Sequence, residues 1–438
     1  MAVHPVETYL RAMGEIRSTG GGRDETSYYA PLENLLNELG KGLKPRVRAV
    51  SQLQNLGDGS PDFGLFTANQ FQRTDLEVLR GEHPERGVIE AKPVKDDSWL
   101  TAKGRQVSKY WRRYGHVLVT NYRDFLLIGR SRDGKAVRLE SFRLVESEKD
   151  FWDLARHPRQ LSRVLADRFA DFLRRVMLYP APISEPETLA HFLASHAREA
   201  LARVEAADLP ALAAVRTSLE ESLGIKFEGD KGDHFFRSTL VQTLFYGVFS
   251  AWVLWAKDHP PTSDETFDWK TAVWTLRVPA ISALFSQIAT PTRLGPLHVE
   301  EVLNWTTGRL NAVDRAAFFQ RFEEEHAVQY FYEPFLQAFD PDLRKRLGVW
   351  YTPPEIVQYM VARVDAVLRE ELKIPDGLAG PRVHILDPCF RGRGRAKSDG
   401  GLLASLRGAQ RCSGGVRGEA GGQLRRSLRS MSNFSMRR

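Results

Sequence analysis

The chain has 438 residues, 42% of them hydrophobic, which suffices for two or three domains with separate cores and excludes a broadly disordered protein. Its net charge of +7 is uneven: residues 391–438 hold twelve Lys and Arg against Asp399 and Glu419, and taking that +10 from the whole leaves −3 for residues 1–390. The body is therefore not a basic, nucleic-acid-coating protein. Cys389 and Cys412 alone exclude a disulfide framework and a Cys/His structural zinc site. Residues 1–22 lack the basic and apolar regions of a signal peptide, so a cytoplasmic location is expected.

In chain order, the first predicted helix covers 26–39, where apolar side chains recur at helical spacing before Gly40 and Gly42. Short β-branched and aromatic runs then predict strands at 47–53, 61–67, 87–92, 116–122, 124–130 and 136–144, with a helix over 103–114 between the third and fourth. Residues 1–145 thus read as one compact α/β or α+β domain. From 150 to 338 the text is almost wholly helical and reads as an all-α connector, with long periodic stretches at 161–177, 189–207 and 318–339. Within it lie 19 uncharged residues between Arg237 and Lys257, about enough to cross a bilayer. Their Ser, Thr and Gln content favours a buried helix, apolar nearly all round, and no membrane partner is expected. A second α/β beginning occupies 339–389: a helix over 354–372, a loop with Pro375, Gly377 and Gly380, and a strand over 383–386 ending at Asp387 and Pro388. The last 48 residues, with 11 Arg, 10 Gly and 7 Ser and no sustained periodicity, read as a disordered tail.

Two constellations carry chemistry. Asp62 opens one predicted strand, and Glu90 and Lys92 share a face of another, since residues two apart on a strand point the same way. Two carboxylates can hold Mg²⁺ against a phosphodiester, and the metal with a nearby lysine can support an attacking water. The apolar Val88 and Ile89 before the triplet suit an interior strand; Glu33 offers a further acidic group, and Gln106 and Tyr110 share a helix face at i, i+4. The same residues also fit a solvated strand face and a turn-opening aspartate. Taken as a series, Glu33, Pro61–Asp62, Glu90-x-Lys92 and Gln106-x-x-x-Tyr110 resemble the PD-(D/E)xK nucleases found at the N-termini of bacterial restriction enzymes. The resemblance implies Asp62 and Glu90 as metal ligands, Lys92 assisting the water, and Glu33 and Gln106 as further catalytic-site residues.

The second constellation begins at residue 346. Thr352 with Pro353, Pro354 and Glu355 forms a helix start of the capping-box kind, and about ten residues beyond the helix comes an apolar strand ending in Asp387-Pro388. This pairing resembles the opening of adenine-specific amino-group DNA methyltransferases. The resemblance implies that Tyr351, Thr352, Pro353, Asp387 and Pro388 line an S-adenosylmethionine pocket in a Rossmann-like domain, at a glycine turn that lets the backbone approach the cofactor. Here the sequence departs from the pattern: Arg391 and Arg393 stand where the turn needs glycines, and no NPPY-type tetrad follows. Residues 390–438 are expected to be out of frame with the family text, with a genuine basic arm as the other reading.

No GxxxxGK[ST] phosphate loop occurs, which argues against an ATP-driven motor. The whole resembles the type IIG-like restriction-modification enzymes: a multidomain α/β chain with a PD-(D/E)xK nuclease-like domain, an all-α connector, the start of a methyltransferase and a tail. That resemblance implies double-stranded DNA as partner, Mg²⁺ and S-adenosylmethionine as cofactors, and adenine-N6 methylation with endonuclease activity in the intact form. A catalytically silent DNA-binding or interaction remnant is the alternative.

Overall fold

The computed structural model describes residues 3–23, 25–53, 59–71, 83–131, 134–207, 209–223, 226–260, 263, 265–271, 276, 285, 289–290, 294–322, 331–341, 354–381 and 383–384. They form a mixed α/β chain of two compact units, Met1–Ile183 with Glu301–Asp314, and Ser184–Glu300 with Arg315–Arg438.

The first unit opens with α1 (Pro5–Ser18), a helix ahead of the one expected first. His4 caps it by accepting from the Val6 N–H at 3.2 Å, Pro5 fits its first turn, and Val6, Tyr9, Leu10 and Met13 form its buried stripe. The expected helix follows as α2 (Tyr29–Gly40), with Leu32, Leu35, Leu36 and Leu39 inward. All six expected strands are present: β1 (Val47–Ser51), β2 (Phe63–Thr67), β3 (Val88–Ala91), β4 (Val117–Thr120), β5 (Asp124–Arg130) and β6 (Ala136–Arg143). They pair in sequence order, every neighbour antiparallel except β3 with β4. A parallel neighbour needs a crossover, and residues 92–116 supply it with α4 (Ser98–Ala102) and α5 (Arg105–Tyr114) after the single turn α3 (Ala68–Phe71). The Asp97 carboxylate caps α4, accepting from the N–H groups of Trp99 and Leu100, and Gly115 at φ +76° ends α5.

Helices α1, α2, α6 (Glu148–Arg156) and α7 (Arg163–Leu178) bury the larger core against one face of the sheet. On the opposite face α5 packs Val107, Tyr110 and Trp111 against Val88, Val117, Val119, Leu126 and Ile128. The unit therefore runs past β6 through α7, and it takes in Glu301–Asp314. Arg309 pins that later segment: wholly buried, it donates to the Tyr179 carbonyl at 2.7 Å, and its guanidinium lies 4.4 Å from the centre of the Tyr179 ring. Val313 makes an isolated bridge with Ile183.

Among its described residues the second unit is helical. It contains α8 (Pro186–Ala206), α9 (Leu209–Leu223) and α10 (Gly229–Asp258), then helices Arg315–Arg321, Glu333–Phe339 and Pro354–Glu370. Gly232–Asp258 is long and apolar enough to cross a membrane by length and composition. Its Leu240, Val241, Leu244, Phe245, Val248 and Trp252 are fully buried, and Phe249 stacks on Phe331 at 3.4 Å, so this helix is the core of its unit. The helix expected over 354–372 is observed to Glu370. Of the strand expected over 383–386 only Val383 and His384 are described, and neither is in a strand; the expected tail lies outside the described residues.

Candidate active site

Strand alternation aims the carboxylates. Phe63 and Leu65 of β2, and Ile89 and Ala91 of β3, enter the larger core, so Gly64, Val88 and Glu90 face the other side, which α5 covers. The antiparallel register pairs Phe63 with Ile89 and Gly64 with Val88; one step further sets Asp62 opposite Glu90. The Asp62 Oδ2 atom accepts from the Ala91 N–H at 2.8 Å, which fixes the aspartate at the end of β3.

A turn before α2 supplies the remaining polar groups. The Tyr29 hydroxyl donates to Asp62 Oδ1 and lies 3.2 Å from Glu25 Oε1. The Tyr122 hydroxyl donates to the Glu25 carbonyl at 2.7 Å, and Tyr9 in turn donates to the Tyr122 carbonyl at 3.1 Å, so buried tyrosines hold this turn against the sheet. Lys92 Nζ stands 2.7 Å from Glu90 Oε1 and 3.5 Å from Glu25 Oε1. Three carboxylates thus surround one ammonium. Lys92 thus pairs with Oε1 of Glu90, whose side chain is 1% exposed, while among the described residues its Oε2 has no hydrogen-bond partner.

These surroundings shift Asp62, Glu90, Lys92 and Tyr29. Burial, then the neighbouring Asp62 charge, push the Glu90 carboxyl up to about 7 against the pull of Lys92. Burial raises Asp62 as well, opposed by Tyr29, the Ala91 N–H and Lys92. For Lys92, burial acts to lower its pKa, but Glu90, Glu25 and Asp62 outweigh it and the net shift is upward. Burial and Asp62 keep the Tyr29 phenol protonated far above neutral pH, so it serves as a donor.

Of the residues picked from the sequence, the fold gathers Asp62, Glu90 and Lys92. Gln106 Nε2 donates to the Tyr110 hydroxyl at 3.2 Å, and burial first, then the Glu90 and Asp62 charges, raises Tyr110, which places this pair beside the carboxylates. Gly59, at φ +100°, lies against the Tyr110 ring, where a Cβ would come within 3.2 Å of the hydroxyl. Glu33, one turn beyond Tyr29 and half-buried, makes no ion pair or hydrogen bond with the group among the described residues; Glu25 stands there instead. Tyr351, Thr352, Pro353, Asp387 and Pro388 lie outside the described residues. Sequence reading missed Glu25 and Tyr29 because both reach Asp62 and Lys92 only through tertiary packing of the turn.

Among the described residues no group of three or more His, Cys, Asp and Glu forms a ready-made metal cage. A pair of carboxylates still suits Mg²⁺, which keeps several waters and takes remaining ligands from substrate phosphate. The buried Glu90 carboxylate, its Oε2 without a hydrogen-bond partner among the described residues, fits such an ion beside Asp62 in chemistry and charge.

No protein-family model matches the chain, and none of the curated proteins matches it. Among solved structures the chain is similar to one in a cryo-electron-microscopy structure of a DrdV–DNA complex, at 20% identity and a TM-score of 0.31, over 88% of this chain and 34% of that one. The chain spans about a third of that chain's length.

Proposed function

We propose that this chain is a divalent-cation-dependent DNA endonuclease of the PD-(D/E)xK kind, with Asp62, Glu90 and Lys92 as its catalytic group. The observation that carries the reading is Glu90: a carboxylate buried on a central strand, opposite a second carboxylate, with one oxygen paired to Lys92 and the other without a hydrogen-bond partner among the described residues. Leaving such a group unsatisfied is costly in a folded protein, and a bound cation offsets that cost. Asp62 and Glu90 would hold the ion, which when bound supplies charge neutralisation at the phosphate and a more acidic water. Tyr29 and the Ala91 N–H orient Asp62. Lys92, kept charged by the surrounding acids, stands beside Glu90 and stabilises anionic oxygen at the reacting phosphate. Gln106 and Tyr110 position the substrate on the α5 side.

Residues 339–389 belong, in the same reading, to the entrance of an adenine-specific, S-adenosylmethionine-dependent methyltransferase, so the nuclease would be one half of a restriction-modification protein. Incubation of the purified chain with supercoiled plasmid and Mg²⁺ tests the nuclease. Nicking is expected with wild type, and a loss of about a hundredfold or more in Asp62→Ala and Lys92→Ala. Cleavage undiminished in both variants overturns the assignment of this site, and none by wild type on several DNA substrates overturns the reading and leaves a silent remnant.

A further inference from the structure

From residue 98 to residue 123 the chain contains no Asp or Glu but six Lys and Arg, in a body whose net charge is −3 through residue 390. Four of the six, Lys103, Arg105, Lys109 and Arg112, are exposed and, among the described residues, make no hydrogen bond or ion pair. At about 100° per residue, Arg105, Lys109 and Arg112 fall on one face of α5, opposite the buried Val107 and Trp111. Gln106 and Tyr110 lie on the flank between these faces, and Tyr110 is near enough to Glu90 and Asp62 to feel their charge. The cationic face therefore belongs to the helix that covers the sheet face toward which Glu90 points.

Only Arg112, in the last turn, is favoured by the helix dipole; the rest of the pattern works against the helix. Exposed helices gain from opposite charges three or four apart, whereas Arg105 with Lys109 and Lys109 with Arg112 set like charges at those spacings. Arg105 also sits in the first turn, where the helix dipole disfavours a cation. A row of cations unpaired among the described residues, on the helix that covers a pair of carboxylates, matches a polyanion whose phosphates are to be brought to that pair.

We infer that the exposed face of α5 is the surface on which double-stranded DNA lies, with Arg105, Lys109 and Arg112 contacting backbone phosphates of the strand presented to Asp62 and Glu90. The choice of DNA as the polyanion rests on the endonuclease reading; the cationic face does not. Each phosphate neutralised on duplex DNA contributes about 0.9 to the slope of log affinity against log salt.

The test is binding of a fluorescent duplex to the full chain, in chelator so that no cleavage occurs, across about 50–200 mM salt. The triple variant Arg105→Gln, Lys109→Gln, Arg112→Gln is expected to lower the salt slope by about 2 to 3 and to weaken binding at least about tenfold at the low-salt end. Lys149→Gln, on an exposed position of α6, should leave the slope within one phosphate of wild type. An unchanged slope in the triple variant, with its circular dichroism intact, overturns the inference and makes α5 a solvated face. Tighter binding of an RNA duplex than of DNA overturns the choice of partner. If wild type binds through this face yet never cleaves, the nuclease reading fails and the surface stands; if it cleaves while the triple variant keeps its slope, the surface fails and the nuclease stands.

Discussion

Glu140 and Glu90 are both carboxylates buried in the first unit, yet the charges around them differ. Glu140, on β6, accepts from Arg175 Nε at 2.9 Å, both side chains being 4% exposed or less, and the guanidinium of Arg309 feels its charge. Around Glu90 the balance is reversed: among the described residues Asp62 and Glu25 join it against Lys92, which pairs with Oε1, while Oε2 has no hydrogen-bond partner. The first arrangement is complete within the protein and ties β6 to α7. The second leaves a surplus of negative charge in a buried place, and folding alone does not select for that. The difference separates a cluster that holds the fold from the one proposed to receive a cation.

Breaking the complete cluster should have the larger effect on stability. Glu140→Ala leaves Arg175 buried without that carboxylate, and a loss of about 3–5 kcal/mol is expected in urea unfolding; a loss under about 1 kcal/mol would show that the pair is not a clamp. The incomplete cluster should respond in the opposite direction. Because the fold holds the Glu90 carboxyl near 7, above its ordinary 4.5, ionising it costs the cation-free protein stability as pH rises from 4.5 through 7, and the full cost is present above 7. Glu90→Gln should therefore stabilise the cation-free chain by about 1–3 kcal/mol near pH 8, with the gain shrinking toward zero below the ordinary carboxylate range. Destabilisation by Glu90→Gln at high pH would mean that Lys92 satisfies Glu90 after all.

The contrast also explains what could be read from the sequence. The six strands declared themselves by β-branched and aromatic runs between Gly, Pro and Asp punctuation, and the E-x-K alternation aimed Glu90 and Lys92 together before any coordinates. Helix α1 was as legible, with Pro5 at its start and Val6, Tyr9, Leu10 and Met13 at helical spacing, but reading that segment for a signal peptide passed over it. Glu25 and Tyr29 were not legible, since a turn of polar text shows its role only when Tyr122 and Tyr9 fasten it to the sheet. Nor does the return of Glu301–Asp314 to the first unit leave a signal: Arg309 reads as one more basic residue in helical text until the carbonyl of Tyr179 receives it.

The most direct measurement is a calorimetric titration of Mn²⁺ or Mg²⁺ into the full chain near pH 8, comparing wild type with Glu90→Gln and Asp62→Ala. A cation site at the surplus carboxylates predicts saturable binding in wild type, about tenfold weaker for each pH unit below 7 as protons compete for Glu90, and lost in both variants. Equal binding in all three proteins, or none in wild type while the fold is intact, would contradict it.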